Sequence, residues 1–154
     1  MSEYSISIEK FEDIREELLP LATLHYEEMS KGFRVIGVEL PEYNPDFDEH
    51  ERNSKVGNLL MYTLRYDNEL VGYFGVYFSK SLDTQLPIAY DGGVYVRKDH
   101  RNGIGTDMVS FVLADLSNRD IISFELVSRT DPRFTEKFEK MGFKAVATQM
   151  LYTF

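Results

Sequence analysis

Residues 99–116, DHRNGIGTDMVSFVLADL, set a His-Arg pair before two glycines one residue apart, and then run into an apolar pattern of helical period. Glycines at 103 and 105 let backbone N–H groups converge with no side chain in the way. A helix start behind them adds partial positive charge, and together these features suit a pyrophosphate. Arg101 offers a charge-assisted bond to an anion. A plain strand-to-helix turn explains the same residues, and both readings stay open on this stretch alone. It is not a dinucleotide-binding fingerprint, because the third glycine is missing, and not a P-loop, because no Gly-Lys-Ser/Thr follows.

Other chemistries are excluded by residue type. The chain has no cysteine, so thiolate nucleophiles, thiolate metal sites and disulfides are ruled out. Its 3 histidines (His25, His50 and His100) are scattered without metal-ligand spacing, so no metal is expected. No Gly-x-Ser-x-Gly elbow is present. Beyond Arg97-Lys98 and Arg101 there is no basic cluster, and no nucleic-acid partner is expected.

The elements that must position these residues read as one α/β pattern over a single domain, 1–154. Ser5 to Ile8 reads as a short strand. Near-helical spacing of Phe11, Ile14, Leu18, Leu21, Ala22 and His25 predicts a helix from about Phe11 to about Lys31, kinked or divided at Pro20. Residues 32–57 read as a loop, with or without a short helix. MYTLRY and ELVGYFGVYF form two strands around Asp67-Asn68, a hairpin signal. Ile88 to Arg97 is a third strand. Val109, Val112, Leu113 and Leu116 mark a helix from about Gly103 to Ser117. Ile121 to Ser128 reads as a strand and Pro132 to Met141 as a short helix closed by Gly142. Phe143 to Phe154 reads as a last strand or strand pair. The longest apolar stretch, Val71 to Phe78, is too short to cross a bilayer, and MSEYSISIEK lacks a signal-peptide core, so a cytoplasmic location is expected.

The order of elements, the stretch YDGGVYVRKDHRNGIGTDMV and the later FEKMGF together resemble the GNAT superfamily of acetyl-CoA-dependent N-acetyltransferases, over nearly the whole chain. The resemblance implies a mixed, mostly antiparallel central sheet of about six to seven strands flanked by helices. It also implies transfer of acetyl from acetyl-CoA, as co-substrate, to a primary amine by direct attack. Val94 and Val96 would flank the splayed part of the fourth strand, with an N–H aimed at the thioester carbonyl. Arg101, Asn102, Gly103, Ile104, Gly105 and Thr106 would form the pyrophosphate loop. Asp131 lies where many members carry an Asn facing the coenzyme. The N-terminal ELLPLATLHYEEM also resembles small members encoded in tailed-phage genomes, which would place the protein in a bacterial or host cytoplasm.

This chain departs from the family in two places. Counted back from the glycines, His100 takes the first position of the loop; counted forward from Val96, Arg101 takes it, so the loop is about one residue short. Phe138 stands where the family commonly has a Tyr that protonates the departing thiolate, and a phenyl ring has no proton to give. A GNAT-fold coenzyme-binding or protein-interaction module with little turnover is therefore the alternative.

An attacking amine must first lose a proton. Asp91, near the start of the core strand, is a candidate base. Strand alternation puts it on the face of Gly93 and Tyr95, although a hydrogen-bonded strand-end carboxylate is an equal reading. His25 is a weaker candidate, since its place in the apolar stripe also suits a packed helix histidine. His50 reads as solvated. Tyr73, Phe74, Tyr77 and Phe78 either line an acceptor pocket or divide between core and sheet surface. Charge is uneven: residues 1–51 hold 14 Asp and Glu against 4 Lys and Arg, and residues 52–154 hold 12 against 13. The acidic third predicts either simple solubility or a cationic amine or protein-lysine partner. Oligomeric state stays open between monomer and homodimer.

Overall fold

In the computed structural model, which describes residues 3–128 and 132–154, the hairpin forms where the sequence predicts it. Strand β2 (Leu59–Tyr66) turns into β3 (Glu69–Lys80) through Asp67 and Asn68. Both turn residues take positive φ, 47° and 71°, the turn whose twist matches that of flanking strands. Strand β1 (Tyr4–Glu9) pairs antiparallel with β2, and β4 (Pro87–Val96) pairs antiparallel with β3. Strand β5 (Phe124–Glu125) lies parallel to β4, giving the order β1-β2-β3-β4-β5.

Helices cover both faces. Helix α1 (Phe11–Val35) and α2 (Phe47–Lys55) lie on one side. There Phe11, Ile14, Leu18 and Leu21 pack on Leu59, Met61, Tyr73 and Tyr95. On the other face α3 (Ile104–Ser117) brings Met108, Val109, Val112 and Leu116 onto Tyr62, Leu64, Phe74 and Val76. Helix α4 (Pro132–Lys140) adds Phe138 at the edge of that core. Each fully buried side chain of this size contributes about 1.5–3 kcal/mol. Pro20 neither divides nor ends α1. Pro20 and Glu16, whose carbonyl loses its helical partner, both face solvent, where water takes the lost bond. Helix α2 begins inside the 32–57 segment, where the Asp46 carboxylate accepts the Glu49 N–H at 2.9 Å.

The architecture is the expected one, a mostly antiparallel sheet flanked by helices, but it has five strands rather than six or seven. Two expectations fail at the carboxyl end. The strand read at Ile121 to Ser128 shrinks to Phe124–Glu125, because β5 meets β4 only opposite Ala89 and Tyr90. Residues 143–154 carry strand-forming side chains yet join no ladder among the described residues. Phe143 turns in against Phe124 and Phe138, and beyond it Val146, Met150, Tyr152 and Phe154 are exposed. Strand propensity becomes a strand only where an edge is at hand to pair with.

Arg65 ties three elements together. It makes a two-pronged bond to Glu9 of β1 at 2.9 and 3.0 Å, another to Glu17 of α1, and one to the Asn68 carbonyl at 2.8 Å. Burial alone would raise the Glu9 carboxyl, but bonds from Arg65 and Thr63 outweigh it and hold the group below its usual range. A lowered carboxyl stabilises the fold above its ordinary titration range and loses that contribution as pH falls through the lowered value. Arg65→Gln should therefore cost about 2 kcal/mol near neutral pH, a Tm drop of about 4–8 °C. Melts taken from pH 7 downward should show the gap from the native chain closing once Glu9 is protonated.

Candidate active site

Strand β4 carries an irregularity at the middle of the sheet. Val94 pairs with Phe74 and Asp91 with Val76, so Gly92 and Gly93 together stand opposite the single residue Gly75. This is a β-bulge, and its residues must be glycine. A Cβ on Gly92 would lie 2.7 Å from the Tyr77 ring and 3.1 Å from the Gly75 carbonyl oxygen, and Gly93 has φ of +113°. Beyond the bulge β4 and β5 no longer pair. The Arg97 N–H bonds back to Val71 of β3, so by alternation the Val94 and Val96 peptides turn to the side from which β5 has withdrawn.

The bulge also moves Asp91. An extra residue reverses the alternation, so Asp91 shares the face of its partner Val76, which belongs to the α3 core, and not that of Tyr95. Its carboxylate accepts the Gly93 N–H at 2.5 Å and the Val127 N–H at 3.3 Å. Asp91 thus bridges the bulge to the chain after β5, on the face opposite to the one that alternation predicts.

What faces Gly93 from α1 is His25. Its Cε1 atom lies 3.7 Å from where a Gly93 Cβ would stand, and its ring stacks on Tyr95 at 5.0 Å. Nδ1 of His25 and the Tyr73 hydroxyl are 2.6 Å apart. One turn along α1, Glu28 accepts the Tyr95 hydroxyl at 3.0 Å and Arg101 Nη2 at 2.6 Å, while the Arg101 guanidinium covers the Tyr95 ring at 5.3 Å. Burial works to raise Glu28, yet the bonds from Arg101 and Tyr95, helped by the nearby His25 ring, bring it below the usual carboxylate range. Burial and the Glu28 bond push the Tyr95 hydroxyl up to about 12, and burial drives Tyr73 higher still. Both phenols are therefore protonated at neutral pH.

Of these side chains His25 and Tyr73 line a cavity of about 190 Å³ between α1, α2 and the sheet. Tyr26, also in its lining, stacks on Tyr43 at 4.7 Å and donates to the Pro41 carbonyl at 2.6 Å. His50 is not solvated as expected but lines the cavity, stacked on Phe11 at 5.4 Å. The aromatic run divides by parity: Tyr73 and Tyr77 face the cavity, while Phe74 and Phe78 join the α3 core.

The loop after β4 engages both residues that could head it. A short 3-10 turn, Lys98–His100, leads out of the strand. His100 turns inward, its Nδ1 2.9 Å from the Tyr4 hydroxyl and its ring against Tyr66, and Arg97 Nη2 lies 3.2 Å from Nε2. Arg101 is committed to Glu28 and to the Val96 carbonyl at 2.8 Å, and Asn102 reaches Tyr4 at 3.3 Å. Both side chains thus have partners within the fold. What remains at the mouth is backbone: Gly103 in the left-handed region at φ +95°, with no side chain capping the first turn of α3, and Gly105 with open space over Val96. Of the residues expected to hold a coenzyme, the structure brings Gly105 of the turn next to Val96 of β4 and ties Arg101 to the Val96 carbonyl. Asn102 is tied to β1 through Tyr4, and Asp131 lies outside the described residues. Among the described residues no group of three His, Asp or Glu could hold a metal ion, and no helix is long and apolar enough to cross a membrane.

Sequence reasoning missed the Tyr73–His25 pair and the Glu28–Arg101 bond. The spacing of His25 and Glu28, three apart on one helix face, is the signal that was there to read.

A family model described as the acetyltransferase (GNAT) family matches residues 17–143. No curated protein matches the chain at a significant level. Three solved structures share the fold. An aminoglycoside acetyltransferase from an uncultured soil metagenomic sample, solved with sisomicin, is 14% identical with a TM-score of 0.72, over 98% of this chain and 96% of that one. A ribosomal-protein-alanine N-acetyltransferase from Brucella melitensis biovar Abortus 2308 is 19% identical with a TM-score of 0.68, over 98% and 99%. An acetyltransferase from Trypanosoma brucei is 14% identical with a TM-score of 0.69, over 99% and 100%.

Asp91→Ala should release both N–H groups that the carboxylate holds, at a cost of about 1.5 kcal/mol and a Tm drop of about 3–6 °C. Asp91→Asn, which keeps one acceptor for Gly93, should recover part of that loss in the same melt.

Proposed function

Because the chain belongs to the acetyltransferase (GNAT) family, we propose that it transfers an acetyl group from acetyl-CoA to a primary amine by direct attack. The observation that carries this reading is the placement of His25 over Gly93, with Tyr73 against its Nδ1, beside the unpaired edge of β4. Acetyl-CoA supplies an acetyl group activated as a thioester. The residues present fit it. The Val94 and Val96 peptides give a strand edge along which an extended amide chain can lie. The first turn at Gly103, Ile104 and Gly105, which no side chain caps, offers N–H groups and helix-end charge to a pyrophosphate, while the Thr106 N–H closes back on the Gly103 carbonyl at 3.1 Å. A Cβ at Gly105 would meet only Val96, at 3.8 Å, so the approach to these groups is open.

On the amine side the cavity delivers its contents to the same bulge. Tyr73 donates to His25 Nδ1, and its oxygen is left to accept from the amine; as the C–N bond forms and the C–S bond breaks, the amine proton passes to Tyr73 and the Tyr73 proton to His25. The raised Tyr73 hydroxyl favours a concerted handover over a standing phenolate. Asp91 holds the bulge in shape and His25 takes the role of base. Phe138, packed against Phe143 at the edge of the core, gives no proton to the sulfur. That observation supports the second reading, a module that binds the coenzyme without turnover.

Gly105→Glu tests the coenzyme claim without disturbing the fold. Glutamate is a better helix former than glycine and suits a helix N-terminus, so the free variant should melt no lower than the native chain. Acetyl-CoA should raise the native Tm by several degrees at saturation and leave the variant's unmoved. A native protein with no shift overturns the claim. His25→Ala should lower kcat/KM by about 10²–10⁴ at pH 7 in a thiol-release assay, and the deficit should narrow toward pH 10, where the amine is already neutral. A deficit constant across pH would remove His25 from the proton path. A Tm shift with no thiol released on any amine would favour the module.

A further inference from the structure

Resting on the acetyl-transfer reading, the cavity can be asked what kind of amine it admits. Among the described residues none of its lining side chains is a carboxylate. Four acids of the elements around it are held by other side chains: Glu28 by Arg101 and Tyr95, Asp48 and Glu51 by Arg15, and Glu49 by Arg52. The acidic excess of the first third therefore supplies no carboxylate to the described walls. Instead the walls are rings and thioethers, with Phe11, Phe47, Tyr77 and Met61 around a floor of Gly75 and Gly92. Burial raises Tyr43, Tyr73 and Tyr77 above their ordinary values, so the phenols that edge the cavity stay neutral.

Size narrows the class further. A cavity of about 150 Å³ takes one benzene ring, and sites that enclose drug-sized ligands run to about 300 Å³ or more. At about 190 Å³ this cavity, open on one side, has room along its inner walls for one ring or one branched alkyl group and the amine attached to it. A polyamine or a multi-ring aminosugar would bring several ammonium groups to walls that offer them no carboxylate, and each would lose its hydration.

We infer that the acceptor is a monoamine whose nitrogen is carried on a single apolar ring or branched alkyl group. The apolar body fills the space between Met61 and Tyr77, and the nitrogen points to Tyr73. The same dry walls disfavour the ammonium form, which eases the proton loss that must precede attack.

Thiol release from acetyl-CoA, measured with phenethylamine and isoamylamine against spermidine and kanamycin, tests the inference. The ring and branched amines should exceed the polycations in kcat/KM by about tenfold or more. Gly75→Ala serves as an internal check, because its methyl would stand at ordinary contact, 3.5 Å from both the Gly92 carbonyl oxygen and Met61 Sδ, and takes up cavity floor. It should raise KM for phenethylamine about tenfold. Release with the polycations or a basic peptide alone overturns this inference and leaves acetyl transfer standing, as does an unchanged KM in Gly75→Ala. An acetyl-CoA Tm shift with no release on any amine overturns both.

Discussion

Opposite Gly75 the fourth strand carries two residues where a regular ladder has room for one, and the two faces of the sheet are sorted by that extra residue. Before it, Asp91 looks toward α3; after it, Tyr95 looks toward α1, although four residues separate them and simple alternation would put them together. The bulge bends β4 away from β5, which opens the edge at Val94 and Val96. It also sets a side-chain-free surface, with Gly93 under His25 and Gly92 under the Tyr77 ring. Cavity, strand edge and candidate base meet at one point because one residue is surplus there. Asp91 keeps the distortion from relaxing by bonding across it.

Helix α1 is held to this point by charge as well as by packing. Glu28 collects a guanidinium and a phenol from the far end of β4, and His25, one turn earlier, is fixed between Tyr73 and Tyr95. The ion pair is half-exposed and on its own would contribute little to stability. Its effect lies in geometry, since the pair and the stacked rings together fix where His25 stands. The same pair ties the start of the glycine turn to α1 through Arg101.

Much of the fold was legible in the sequence where local signals and tertiary contacts agree. Asp67-Asn68 announces a turn that only residues tolerant of positive φ can make, and Val109, Val112 and Leu116 announce the buried face of α3. The site was legible as a glycine loop and a strand but not as a geometry. Periodicity assumes an unbroken pleat, so Asp91 is assigned to the wrong face as soon as a bulge intervenes. The partners of His100 and Arg101 lie on β1 and α1, far away in sequence, and nothing near position 100 foretells Tyr4 or Glu28. Residues 143–154 illustrate the converse: their side chains favour a strand, but pairing is a property of two segments, and the second is not beside them.

The bond between Tyr4 and the loop has a further meaning. His100 and Asn102 are both anchored by that hydroxyl, which comes from the first strand, 96 and 98 residues away. If the glycine turn holds an anion as proposed, the loop would not have to give up conformational freedom when it arrives, since the first strand has already removed it. Pre-organisation of this kind would place part of the loop's affinity in the first strand. Variation among related chains at that strand would then tune how tightly the turn holds its ligand, while every residue of the turn stays the same.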